Sequence, residues 1–316
     1  MSRSKGAVVR DEVRREDAEW ILSKIDVSGL ESISPLDGGW DNCNVHLKLA
    51  DSSQYVLKAW FANSIEEVGR VVERHLHLHA HGISTTVPIQ LEDGVFLVEK
   101  DGIAWTLLPF VEGGFLDSDE FSLRSLGEVL ARMHLIPTAG CFPREYRMGF
   151  SLFEKVIGHC KEDGRVPFID LLTDEFSRLR RSIPDSLPSG ILHGDLFPDN
   201  VIGSGGSVSA ILDLEESWIG PMCFDLVMAF VGFGWEGAEP IDLRWRALVD
   251  GYQRVRSLNS EEISVIPQMH RYATLAIACW RFWKHNLSVP DQELSGRYLE
   301  MVERLAVDYD LTEALR

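Results

Sequence analysis

The sequence predicts an α+β protein in two lobes: a strand-rich amino-terminal lobe, residues 1–108, and a mainly α-helical carboxy-terminal lobe, residues 109–316. Three observations carry this expectation. Up to about Val111, apolar residues alternate with polar ones at the period of a strand. Beyond that stretch they recur at the period of a helix, as in Leu123, Leu126, Leu130 and Met133, or Trp245, Leu248, Val249 and Tyr252. Two short apolar runs, GILHGD and VSAILDLE, interrupt the helical part, and each ends in a carboxylate.

Taken in order, a helix is expected over Arg14–Ile25, with Trp20, Ile21 and Ile25 on one apolar face. ISPLDGGWDNCNVHLKLA then reads as a strand, a glycine turn and a second strand. Asp51, Ser52 and Ser53 form a polar turn into QYVLKAWF, a third strand, so the three make an antiparallel meander. Ser64 to His81 reads as a helix ending at Gly82, a residue suited to the left-handed cap of a helix. GVFLVEK and AWTLLPFV are strands separated by Asp101 and Gly102, and the lobe boundary falls in LLPFVEGG. Past it, Tyr272, Ala276 and Trp280 open a long final helical stretch. The two interrupting strands, joined through a Gly- and Ser-rich turn, read as a hairpin with acidic tips.

Composition narrows the function. The 316 residues, 45% hydrophobic and 25% charged, are ordinary for a globular chain able to bury a large core. Lys and Arg total 31 against 49 Asp and Glu, a formal charge of −18, which repels nucleic-acid phosphates and anionic membranes. The amino terminus is too charged for a secretory signal, and no run approaches the length of a membrane span. Five scattered cysteines without a CxxC pair give neither a zinc nor a redox motif and fit reduced thiols in the cytoplasm.

The chemistry concentrates in His193-Gly194-Asp195-Leu196-Phe197-Pro198-Asp199-Asn200 and in Ala210-Ile211-Leu212-Asp213-Leu214-Glu215. Phosphoryl transfer needs a carboxylate at the attacking hydroxyl and oxygen ligands for magnesium. An Asp with an Asn five positions on, followed by a second strand-end Asp, supplies both.

These motifs resemble those of the aminoglycoside phosphotransferase and choline kinase superfamily, whose fold is protein-kinase-like. Gly39-Trp40-Asp41-Asn42-Cys43-Asn44, the GYxxxRxL segment Gly251 to Leu258, and Trp280-Arg281-Phe282-Trp283 are similar to segments of the kinase-like homoserine kinases. The resemblance spans nearly the whole chain and implies ATP and Mg2+ as cofactors. It implies that Asp195 orients or deprotonates the substrate hydroxyl, that Asn200 and Asp213 bind magnesium, and that Glu215 reaches a second ion. Lys58, in YVLK, would neutralise the ATP phosphates with Glu73 as its helix partner, Glu66 and Glu67 competing for that role. Gly38 and Gly39, with Asn42, would bring backbone to the phosphates, and Leu108, Phe110 and Val111 would hold the adenine. His193 and Asp225 would support the catalytic loop. Arg281 is a candidate for an acceptor carboxylate, and Trp218 for another acceptor contact.

The acceptor is a small hydroxylated molecule, homoserine leading, with an aminoglycoside, choline, ethanolamine or a hydroxylated amino acid as alternatives. Lys284-His285-Asn286 departs from the Ser and Arg expected after the RFW segment, which keeps those alternatives open. A protein Ser/Thr kinase and a catalytically silent nucleotide-binding protein are the remaining readings. No activation segment follows Asp213, which favours small substrates, and intact Lys58, Asp195, Asn200 and Asp213 argue against silence. His75, His77, His79 and His81 fall in two sets on different helix faces and read as helix surface rather than a metal site.

Overall fold

A computed structural model describes residues 12–36, 42–160 and 166–315. The chain forms two compact units, Met1–Glu112 and Gly113–Arg316, the sequence-derived boundary falling a few residues before this division.

In the amino-terminal unit, α1 (Arg15–Ser23) precedes β1 (Leu30–Pro35), β2 (Cys43–Leu49) and β3 (Gln54–Trp60). α2 (Ile65–Ala80) then leads to β4 (Val98–Lys100) and β5 (Ile103–Pro109). The strands form one antiparallel sheet in the order β1-β2-β3-β5-β4. Alternation along β3 decides what each face buries. Leu57 and Ala59 pack with Ile21 and Leu22 of α1 and with Val45 and Leu47. Trp60 faces the other way, onto Val68, Val71 and Val72 of α2. Lys58 shares the Trp60 face, and its ammonium lies 3.9 Å from the Trp60 ring centre. α2 starts with a capping box of Ser64 and Glu67.

The carboxy-terminal unit contains α3 (Glu120–His134), α4 (Phe150–Cys160), α5 (Pro167–Ser182), α6 (Cys223–Phe233), α7 (Asp242–Gln253), α8 (Ser260–Phe282) and α9 (Leu299–Leu305). Its core surrounds α6, in which every residue from Cys223 to Val231 is buried. A helix apolar all round belongs inside, and α8 and α7 cover it. α3 and α7 approach backbone to backbone: a Cβ on Gly127 would sit 2.2 Å from Leu248 O, and one on Gly251 1.9 Å from Arg124 O.

The strands of this unit are β6 (Gly114–Phe115), β7 (Ser189–Leu192), β8 (Val201–Ser204), β9 (Ser207–Ile211) and β10 (Trp218–Pro221). Here the pairing corrects the expected hairpin. β9 pairs with β8 across Gly205-Gly206, in a sheet ordered β6-β8-β9, whereas β7 pairs with β10. The reason is local. Pro198 opens a 3-10 turn over Pro198–Asn200 that ends the first excursion, and VIGS then becomes the hairpin partner of VSAI. The acidic tips of β7 and β9 therefore belong to two sheets.

Candidate active site

β7 ends at Leu192 and delivers His193, Gly194 and Asp195 into a loop whose backbone is tied at nearly every polar atom. The amides of His193 and Gly194 donate to the two oxygens of Asp225, at 2.5 and 2.9 Å. The Tyr146 hydroxyl donates to Gly194 O at 2.6 Å. His193 Nε2 donates to Leu212 O at 2.8 Å, so its Nδ1 is the acceptor for the Asp195 amide at 3.2 Å. Asn200 Nδ2 closes the loop on Asp195 O at 2.8 Å and reaches Asp195 Oδ2 at 3.2 Å. Gly194 has φ +87°, and a side chain there would collide with Glu216 O, so glycine is required twice over.

The second loop leaves β9 at Ile211. Leu212 N donates to Asn200 O, and through Leu212 O the His193 ring fixes the residue before Asp213. Asp213 itself is left-handed, φ +48°, a conformation Asp tolerates better than most residues and one that recurs at functional sites. The Glu215 amide donates to Asp213 Oδ1 at 3.3 Å.

Charge in this region is one-sided. Burial first, then the carboxylates of Glu216, Asp213 and Asp199, push the Asp195 pKa up to about 8, and the Asn200 hydrogen bond only partly opposes them. A metal ion or an ammonium group beside these carboxylates would draw it back down. Glu216 is a neighbour that sequence reasoning missed. It is 8% exposed, Arg147 binds its Oε1 through Nε at 2.7 Å and also through Nη2, and its buried Oε2 has no hydrogen-bond partner among the described residues. Tyr146 stacks on Trp218 with ring centres 5.3 Å apart, and its hydroxyl is held well above the usual tyrosine range by burial and then by Glu216 and Asp195.

The donor chemistry fits magnesium. Asn200 commits its amide nitrogen to the loop, which leaves its carbonyl oxygen as a hard donor, and the Asp213 carboxylate lies near enough to Asp195 to raise its pKa. Among the described residues no three His, Cys, Asp or Glu side chains gather as a metal group, so an ion here would draw its other ligands from phosphate and water.

Residues 32–258 match the phosphotransferase enzyme family. The chain belongs to that family. It is a small-molecule phosphotransferase. A homoserine kinase of Rhizobium etli (strain CIAT 652) is 28% identical over 285 residues, covering 87% of each chain. Among solved structures, an amicoumacin kinase in complex with AMP-PNP and Ca2+ superposes with a TM-score of 0.72 at 14% identity, over 94% of this chain and 97% of that one. A microcompartment-associated aminopropanol kinase gives 0.70 at 18% identity, over 92% and 94%. At these identities the two structural likenesses establish the fold.

The other residues singled out from the sequence of this phosphotransferase fall as follows. Lys58 is 6% exposed on β3. Glu73 lies on the exposed face of α2 and has no ion-pair partner among the described residues, because the buried face is taken by Val68, Val71, Val72 and His75. Asn42 joins the end of the first turn to the segment after β3, donating to Asn63 Oδ1 at 3.0 Å and accepting from Ala62 N at 3.3 Å. Leu108 pairs with Val56 one position before the β3–β5 ladder ends at Tyr55 and Pro109, the Phe110 ring lies tilted against His46 with centres 4.5 Å apart, and Val111 is half-buried. Gly38 and Gly39 lie outside the described residues. Arg281 is buried and paired with Glu300 at 2.7 Å, a carboxylate it shares with Arg304. Immediately after Phe282 the helix widens into a π turn, Trp283–Ser288, where Lys284-His285-Asn286 stand.

Arg147 and His134, like Glu216, were not singled out from the sequence. A Glu-Glu pair after a strand and an Arg in a loop carry no spacing signal, although adjacent carboxylates must face different surroundings.

Proposed function

We propose that the protein is an ATP- and magnesium-dependent kinase that phosphorylates the side-chain hydroxyl of L-homoserine. The observation that carries the reading is the Asp195–Asn200–Asp213 arrangement: a carboxylate on a tightly hydrogen-bonded loop that Asn200 closes, with the Asp213 charge close enough to raise its pKa. The likeness to homoserine kinases over most of both chains supports the choice of acceptor.

In this reading Asp195 accepts a hydrogen bond from the acceptor hydroxyl and takes its proton as the new O–P bond forms. The bond from the γ-phosphorus to its bridging oxygen breaks, and ADP leaves. Asn200 and Asp213 would hold magnesium, with Glu215 available to a second ion, and a bound ion would offset charge on the phosphate oxygens. Lys58 we assign to the nucleotide phosphates. The transition state is largely dissociative, so positioning and electrostatics supply most of the rate. A cytoplasmic location accompanies the reading. Among the described residues no helix is long and apolar enough to cross a membrane.

The test is ADP release with ATP and Mg2+ across L-homoserine, choline, ethanolamine, hydroxylysine and an aminoglycoside, with Asp195→Ala alongside. Turnover with homoserine that vanishes in the variant is the expected result. Turnover with another acceptor alone would move the substrate while keeping the chemistry, and activity surviving in Asp195→Ala would remove the kinase reading.

A further inference from the structure

The GYxxxRxL segment has no part in the chemistry above, yet its Tyr and Arg join a buried chain of hydrogen bonds that ends on the catalytic loop. Asp225 of α6 accepts from the His193 and Gly194 amides. His134, the last residue of α3, lies with Nε2 3.3 Å from Asp225 Oδ2 and Nδ1 2.8 Å from the Tyr252 hydroxyl. Arg256 Nη1 donates to that hydroxyl at 3.2 Å. Arg256 Nη2 pairs with Glu262 Oε1 at 2.9 Å, out of hydrogen-bonding alignment, and Glu262 closes the capping box of α8 with Asn259. His134, Tyr252, Asp225 and Glu262 are each at most 1% exposed.

The donors set a direction. A guanidinium only donates, so the Tyr252 oxygen accepts and its own proton turns to His134 Nδ1. The imidazole then carries its hydrogen on Nε2, aimed at Asp225. Asp225 thereby receives three donors, two from the loop and one from His134. Four helices, α3, α6, α7 and α8, are coupled to the path of two backbone amides.

We infer that Tyr252 and Arg256 are positioning residues for phosphoryl transfer, acting through His134 and Asp225 to fix where the Asp195 carboxylate stands. This rests on the reading of Asp195 as the catalytic group. Removing the Tyr252 hydroxyl leaves a buried imidazole nitrogen unpaired and loosens the His134 hold on Asp225. His134, Tyr252 and Asp225 are closed off from solvent, so the loss belongs in kcat.

The experiment compares Tyr252→Phe, His134→Gln and His134→Leu with the wild type, using ATP, Mg2+ and L-homoserine, and follows amide hydrogen exchange without acceptor. Tyr252→Phe should lower kcat roughly 10- to 100-fold, the scale of a small misplacement, with both KM values near wild type. Exchange should quicken in the peptide covering residues 191–197 and stay unchanged in peptides from α8. His134→Gln, whose amide can still donate to Asp225, should keep clearly more kcat and more protection than His134→Leu. Wild-type kcat and exchange in Tyr252→Phe, or equal losses in the two His134 variants, would overturn the inference. Should Tyr252→Phe not fold, the His134 pair decides, and exchange decides even if homoserine is not the acceptor. Turnover surviving in Asp195→Ala would instead remove the reading underneath.

Discussion

Asp195 stands among carboxylates, and that crowding separates what its sequence context reveals from what it hides. Asp195, Asn200 and Asp213 are legible as a group because their spacing along the chain is the spacing phosphoryl transfer would call for. Glu216 is not, although its charge is the largest one raising the Asp195 pKa, because proximity across β7 and β10 leaves no mark in spacing. Lys58 is legible as a strand lysine, whereas the exposure of Glu73 on α2 is not. A cation that is 6% exposed is costly to bury, which fits the proposed role of Lys58 at the nucleotide phosphates. Lys58→Met should therefore lower kcat/KM for ATP by about 100-fold, the scale of one lost electrostatic contact, without lowering the unfolding temperature. Steady-state kinetics together with a thermal melt checks both halves.

At the scale of elements, period reveals helices and strands better than it reveals their pairings. α2, α3, α7 and α8 follow from the spacing of apolar residues, and the strands of the first sheet follow from alternation and turn residues. α4 and α5 are legible only as part of a mainly helical region. The hairpin of β8 and β9 is hidden because VIGS looks like a turn until VSAI is seen beside it. Gly251 shows the same limit. It marks a family segment in the sequence, and its physical reason, the crossing of α3 over α7 at Gly127, needs the fold. Glycine inside a helix is unfavourable by about 1 kcal/mol relative to alanine, so it persists here because nothing larger fits. Gly251→Ala should destabilise the protein by about 1–3 kcal/mol despite the better propensity, as a shifted urea midpoint with an unchanged m-value.

For the whole molecule, the change of period near Val111 is legible, and the chain divides at Glu112 and Gly113. Its response to acid is not legible, because it depends on which histidines are buried. Burial first, then the charges of Arg271 and Arg304, lowers His270 from 6.5 to about 4. Below pH 6.5 the unfolded chain takes up a proton that the folded chain refuses until about pH 4. This contribution is therefore fully present above pH 6.5 and is lost as pH falls through that window, amounting to ~3 kcal/mol at its limit. Urea unfolding at pH 7, 6 and 5 should show wild-type stability falling more steeply than that of His270→Gln. Equal slopes would mean that His270 is not refused its proton. The comparison with a variant matters because the charge of −18 also shrinks on acidification and eases self-repulsion in both proteins.

The left-handed backbone at Asp213 also constrains how this position can change over evolutionary time. Most side chains are strained there by about 1 kcal/mol or more, while glycine and asparagine are not. A descendant chain released from catalysis would thus drift at this position first to Asn or Gly, and only later to residues that need the loop rebuilt. Sequences carrying Asn or Gly there with the loop otherwise intact would mark lineages in which activity was lost before the fold began to change.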